Sequence, residues 1–144
     1  GYAQLSVQGQ SCSLYFYNNA NQSANDAQAA ARNLGANLVS IQSQPENDAL
    51  QQALIAAGFS NAIVWIGGGF QGAAHGPNDF TWYDGSPINY INWNPGEPNN
   101  NSGGVGSENC IQMVVNSGRW NDLVCGAEPL GLGPKGTSVI EVNL

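Results

Sequence analysis

Apolar positions along the chain come in short runs set off by turn-forming residues, and the spacing within each run predicts its element. Near the start, "CSLYFYNN" alternates apolar and polar residues poorly but is rich in aromatics, which predicts a strand partly covered on both faces. "SANDAQAAARNLG" follows, with Ser23 or Asn25 as an N-cap, an alanine-rich interior, and Gly35 where a helix needs a left-handed terminating residue. A helix is predicted there. After a short strand in "NLVSI", Ser43 stands three residues before Glu46 with Pro45 between them, a capping box with proline in the first turn. The helix it opens runs to about Gly58. "NAIVWIG" predicts a buried strand; "CIQMVV", the turn "NSG" and "RWNDLVC" predict a hairpin. "TSVIEVNL", beyond a Gly- and Pro-rich link, predicts a terminal strand.

From Gly67 to Ser107, glycine, proline, asparagine and aromatics alternate and leave little room for regular structure. A loop of that length inside a compact domain requires something to organise it. There is no internal repeat and no linker, and 144 residues suit one domain spanning 1–144.

Glu97 and Asn99 flank Pro98, Glu108 lies eleven residues beyond Glu97, and Asn121 with Asp122 follows Trp120 in the predicted hairpin. Three carboxylates and two amides, with no His or Cys beside them, are hard oxygen donors that match calcium rather than zinc. A divalent cation would remove the repulsion among the carboxylates and tie the loop to the hairpin. Ordinary turn chemistry accounts for Asn, Asp, Gly and Pro equally well, so composition alone does not separate the two readings.

Charge narrows the partners. Three Lys or Arg against ten Asp or Glu give a formal charge of −7, too few cations to displace the counterions of a phosphate backbone, so nucleic acid is not expected. No apolar run is long enough to insert in a membrane, and the N-terminus lacks the order of an export signal; any leader is expected to have been removed. Cys12, Cys110 and Cys125 make an odd count. Cys110 and Cys125 flank the predicted hairpin, and a bridge between them would contribute roughly 3 kcal/mol in the chain-entropy model and imply an oxidising compartment. Cys12 is then free, buried or paired to another molecule.

"WIGG", "WYDGSPINYINW", "GEPNN", "ENC" and "RWNDLVC" occur in the order and approximate spacing of the C-type lectin domain, which the chain resembles over nearly its whole length. "NDAQAAARNLGANLVSI" resembles that family's first helix and following strand, and "SVIEV" its last strand. The resemblance implies an α+β fold: two helices, small antiparallel sheets and a long calcium-dependent loop region. It implies a calcium site at Glu97, Asn99, Glu108, Asn121 and Asp122, and a cis bond before Pro98. It also implies sugar binding by Glu97 with Asn99 and by Glu108 with Asn121, while Asp122 mainly holds the ion. The order Glu-Pro-Asn resembles the mannose, fucose and N-acetylglucosamine class.

The chain departs from that family in places. The usual long-range disulfide is replaced by Ala31 and Ile140, as in disulfide-poor members of the superfamily, so a clamp on the unfolded chain is lost. Asn100 and Asn109 stand where acids of a second calcium site would be, and Gly69, Phe70 and Gln71 offer no replacement, so one strong site is expected. Asp79 and Asp84 read as turn or structural residues, and His75 as a solvent-exposed loop residue. No nucleophile, base and orienting group form a set, so an enzyme is not expected. Trp65, Trp82 and Trp120 read as core, with Trp93 open as a sugar-stacking platform. Asn21 and Asn100 each begin an Asn-x-Ser triplet that chance accounts for in so Asn-rich a chain.

The expectation is a secreted or cell-surface calcium-dependent module for glycans, in a homo-oligomer or multidomain parent that supplies multivalency. The alternative is a structural or adhesive subunit that uses the same fold to bind protein, mineral or ice.

Overall fold

The computed structural model describes residues 1–101, 107–126 and 135–144; loop residues 102–106 and link residues 127–134 lie outside the described residues. Ser23 divides the first long strand from the first helix. Its Oγ accepts from Asp26 N at 3.2 Å, and α1 (Ala24–Asn33) buries Ala24, Ala27 and Ala31 on one face. The helix stops where Leu34 N and Gly35 N donate to Ala31 O and Arg32 O, with Gly35 at φ 74°.

Ser43 caps α2 (Gln44–Ala56) by accepting from Glu46 N at 3.2 Å. The return bond of the predicted capping box lands one residue early: Glu46 accepts from Gln42 N at 2.7 Å instead of from Ser43 N. Its other oxygen accepts from the Tyr15 hydroxyl at 2.5 Å, so the start of α2 is tied to the strand that carries Tyr15.

The strands are β1 (Tyr2–Leu5), β2 (Ser13–Gln22), β3 (Asn37–Leu38), β4 (Ile63–Gly69), β5 (Thr81–Trp82), β6 (Cys110–Val114), β7 (Arg119–Leu123) and β8 (Gly136–Asn143). The class is α+β as expected, but the strands join in one sheet in the order β1-β2-β8-β4-β6-β7, with β3 on β8 and β5 on β4. The sheet is mixed: β4 and β8 pair in parallel, Val64 with Thr137 and Trp65 with Ser138. β6 and β7 form the expected hairpin, Cys110 opposite Leu123 and Ile111 opposite Asp122. The Cys110–Cys125 disulfide closes its open end, and Cys12 is free and exposed.

Two apolar clusters fill the interior. One gathers Leu50, Leu54, Ile66, Phe80 and Trp120 beneath the long loop; the other places Ala31 and Ile140 with Leu38 and Trp65 behind α1. Trp120 is fully buried, with Phe80, Trp82, Tyr90 and Trp93 edge-on around it at 5.5 to 6.2 Å. Its Nε1 donates to Asn47 Oδ1 at 3.0 Å, and Asn47 Nδ2 donates to Gly118 O at 3.0 Å, locking α2 onto the hairpin turn.

The glycines of "WIGG" are set by close approach. Gly67 N donates to Val39 O and Gly67 O accepts from Tyr83 N, both at 2.7 Å, so β4 is flanked at that point by two crossing segments. A Cβ on Gly67 would lie 2.2 Å from Leu38 O, a backbone atom. Gly67→Ala is therefore expected to lower the free energy of unfolding by about 2–3 kcal/mol, checked by urea denaturation with and without calcium. A loss below about 0.5 kcal/mol would show that β3 shifts freely.

Candidate functional site

The long loop reaches the hairpin by running along β7. Trp120 N donates to Asn92 O at 2.8 Å and Asn94 N donates to Trp120 O at 2.9 Å, so residues 92–94 line the outer edge of the sheet. Glu97 N then donates to Asn94 O at 2.9 Å across the Pro95-Gly96 turn, and the Glu97–Pro98 bond is cis. This delivers the next residues to Asp122.

Asp122 is fully buried. Its Oδ1 accepts from Asn99 N at 3.1 Å and its Oδ2 from Asn100 N at 2.8 Å. Asn101 N donates to Glu108 Oε1 at 2.7 Å and to Asn99 Oδ1 at 3.0 Å, and Glu108 N donates to Asn100 Oδ1 at 2.8 Å. Consecutive backbone N–H groups thus face two carboxylates, as expected where an anion must be held in a partly dry site.

Glu97 is treated differently. Among the described residues its Oε1 is buried without a hydrogen-bond partner, and its Oε2 receives only a long 3.4 Å bond from Asn99 Nδ2. Burial, a proton-sharing contact with Asp122 and the charges of Asp122 and Glu108 push the Glu97 carboxyl up to about 7. Burial and Asp122 also raise Glu108, against the opposing pull of Asn101 N–H and His75. No Lys or Arg figures among these perturbing groups. The unpartnered oxygen and three carboxylates close enough to raise one another's proton affinity are a donor set that fits a hard divalent ion.

Among the described residues, no three His, Cys, Asp or Glu side chains are arranged as a metal cluster. The Glu97, Glu108 and Asp122 charges nevertheless sense one another through the placement of their oxygens. Any cage here also needs the amides of Asn99 and Asn121. Asn99 is exposed beside Glu97, and Asn121 is half-buried next to Asp122 on β7.

Other sequence expectations resolve differently. Trp93 is 8% exposed and donates Nε1 to Pro77 O at 3.0 Å, so it is core, because the loop strand beside β7 turns it inward onto Trp120. His75 is half-buried instead of exposed: its ring stacks on Phe70 at 4.5 Å and its Nε2 lies 3.1 Å from Gly72 O. Asp79 accepts from Gly76 N within its own turn, and Asp84 accepts from Ser86 N and from the distant Ser40 Oγ, both structural tasks. Sequence reading missed the task of Asn100; its one signal was asparagine at a position that takes φ 49°. Ser102 of the Asn100 triplet lies outside the described residues, while in the other triplet Ser23 spends its Oγ on the α1 cap.

Residues 20–130 match the Lectin C-type domain model, and the chain belongs to that family. Pig pulmonary surfactant-associated protein D is 39% identical over 101 residues, covering 70% of this chain and 25% of that protein. The chain spans 25% to 32% of the length of mammalian relatives that it matches. A crystal structure of the cow C-type carbohydrate-recognition domain of CD23, in the presence of a GlcNAc2Man3 oligosaccharide, has a TM-score of 0.73 at 29% identity, covering 99% of this chain and 98% of that one. A calcium-independent type II antifreeze protein shares the fold, with a TM-score of 0.71 at 24% identity and coverage of 98% and 96%. The domain is a carbohydrate-binding or lectin-like module. Among the described residues no helix is long and apolar enough to cross a membrane.

The Glu97 carboxyl holds its proton more tightly in the fold than in the unfolded chain, where it has an ordinary carboxylate value. Its contribution to stability is therefore present in full below about pH 4.5 and is lost as pH rises through about 7. In chelator, Glu97→Gln is expected to flatten the fall in unfolding midpoint between pH 5 and 7.5, measured by calorimetry. An unchanged slope would mean that Glu97 is solvated.

Proposed function

We propose that this is an extracellular or cell-surface module, one domain over 1–144, that binds glycans through a calcium ion held by Glu97, Asn99, Glu108, Asn121 and Asp122. The observation that carries this reading is the buried Glu97 Oε1, without a hydrogen-bond partner among the described residues, beside two further carboxylates whose charges it senses. Such an arrangement costs the ion-free fold and is relieved by a divalent ion. The family membership and the glycan named with the cow domain support it.

A bound calcium supplies coordination positions that two vicinal sugar hydroxyls take in place of water. Glu97 accepts a hydrogen bond from one hydroxyl while Asn99 Nδ2 donates to it, and Glu108 and Asn121 do the same for the other. The existing 3.4 Å contact from Asn99 Nδ2 to Glu97 Oε2 supports this pairing. Asp122, with both oxygens already fixed by backbone N–H groups, holds the ion instead of the sugar. The Glu-Pro-Asn order favours equatorial pairs of the mannose, fucose and N-acetylglucosamine type. The loss of the long-range disulfide, with Ala31 and Ile140 in one apolar cluster, makes this a disulfide-poor member that leans more on its ion. A homo-oligomer or a longer parent would convert weak single sites to useful avidity.

The test is calcium titration followed by binding to immobilised mannose, fucose and galactose. Calcium uptake with no competition by any monosaccharide would leave the adhesive or structural alternative in its place. Glu97→Gln combined with Asn99→Asp is expected to shift preference toward galactose-type sugars by reversing acceptor and donor, read on a glycan array. Unchanged selectivity would remove these two residues from the sugar contact.

Calcium must displace the Glu97 proton, so affinity is expected to fall on acidification, by up to tenfold per pH unit below about 7 for this one group. Calorimetric titration at pH 5.5, 6.5 and 7.5 in buffers of differing ionisation enthalpy checks both the affinity and the proton released. Affinity independent of pH would exclude Glu97 as a ligand.

A further inference from the structure

Asn100 is the one non-glycine residue with positive φ among those described, at 49°. Asparagine enters this region more readily than most residues because its short amide bonds locally. Here the amide makes a contact eight residues away in sequence, to Glu108 N at 2.8 Å, rather than to its own turn. The left-handed backbone meanwhile points Asn100 N at Asp122 Oδ2, and Asn101 N at Glu108 Oε1. One residue thus joins the hairpin carboxylate to the carboxylate on the far side of the loop.

We propose that Asn100 is a positioning residue for calcium, which clamps Glu108 against Asp122 before the ion arrives. The proposal rests on the calcium reading above. Glu108 stands at the far end of the segment that contains residues 102–106, so its side chain reaches the other carboxylates only if the base of that loop is held closed. The bonds from Glu108 N to Asn100 Oδ1 and from Asn101 N to Glu108 Oε1 close it from both ends. Asn100 Oδ1 is committed to Glu108 N and acts on the cage through Glu108 instead of joining it. Preorganisation of this kind raises affinity because the ordering cost is met before binding.

Three substitutions separate the parts of the clamp. Asn100→Gly keeps the left-handed backbone and removes the acceptor; Asn100→Ala removes the acceptor and disfavours the backbone; Asn100→Asp keeps both. Calcium affinity, measured by calorimetry, is expected to fall roughly 3- to 10-fold in the Gly variant, further in the Ala variant, and not at all in the Asp variant. In chelator, the Glu108 amide should exchange slowly in the unaltered protein and much faster in the Gly variant.

A merely structural role would lower the unfolding midpoint of the Gly variant equally with and without calcium; positioning concentrates the deficit in the calcium-containing sample. Equal calcium affinity in the Gly variant and the unaltered protein would overturn the proposal. So would fast exchange at Glu108 in the unaltered protein. Failure of the unaltered protein to take up calcium would defeat the calcium reading and the positioning role with it. Slow Glu108 exchange lost on Asn100→Gly would, in that case, still establish the clamp.

Discussion

The fully buried carboxylate of Asp122 is the constraint on which the site depends. A charge taken out of water must be met by donors, and here the donors are backbone N–H groups of Asn99 and Asn100, from a loop more than twenty residues earlier in the chain. The loop path past Pro98, the left-handed turn at Asn100 and the approach of Glu108 all follow from meeting that demand. Because the N–H groups take only part of the carboxylate's accepting capacity, Asp122 still repels Glu97, and the site retains an electrostatic tension.

The scaffold beneath is rigid for reasons of its own. Trp120 precedes the Asn121-Asp122 pair on β7 and is held by Asn47 from α2, by the edges of three neighbouring aromatic rings and Tyr90, and by both backbone bonds to the loop strand. Asn47 and Asn92 both donate to Gly118 O, so helix and loop converge on one carbonyl at the hairpin turn. The Asn121 and Asp122 side chains therefore rise from a sheet edge whose position is fixed by packing. Only the residues after Pro95 depend on charge.

Most of the frame was legible in sequence because its signals are local. Ser23, Gly35, Ser43 and Pro45 mark the helices, and the hairpin announces itself by its turn and its two flanking cysteines. The acidic set was legible as a pattern of oxygen donors, and the ordered family motifs pointed to the family. What escaped depends on three-dimensional neighbours. The joining of all strands into one mixed sheet follows from β8 inserting between β2 and β4, which no local run encodes. Trp93 stayed open and His75 was misjudged because exposure in a loop is decided by what the loop folds onto, here Trp120 and Phe70. The redirected bond of Glu46 and the role of Asn100 likewise required knowing which backbone N–H lay within reach.

The edge-on nest of Trp82, Trp93 and Trp120 has a spectroscopic consequence. Indoles this close couple their excited states, and one of them belongs to the segment that leads to Glu97. Any rearrangement of that segment would alter the near-ultraviolet circular dichroism of the whole group. The domain therefore carries its own chromophoric gauge of loop geometry, with no label attached.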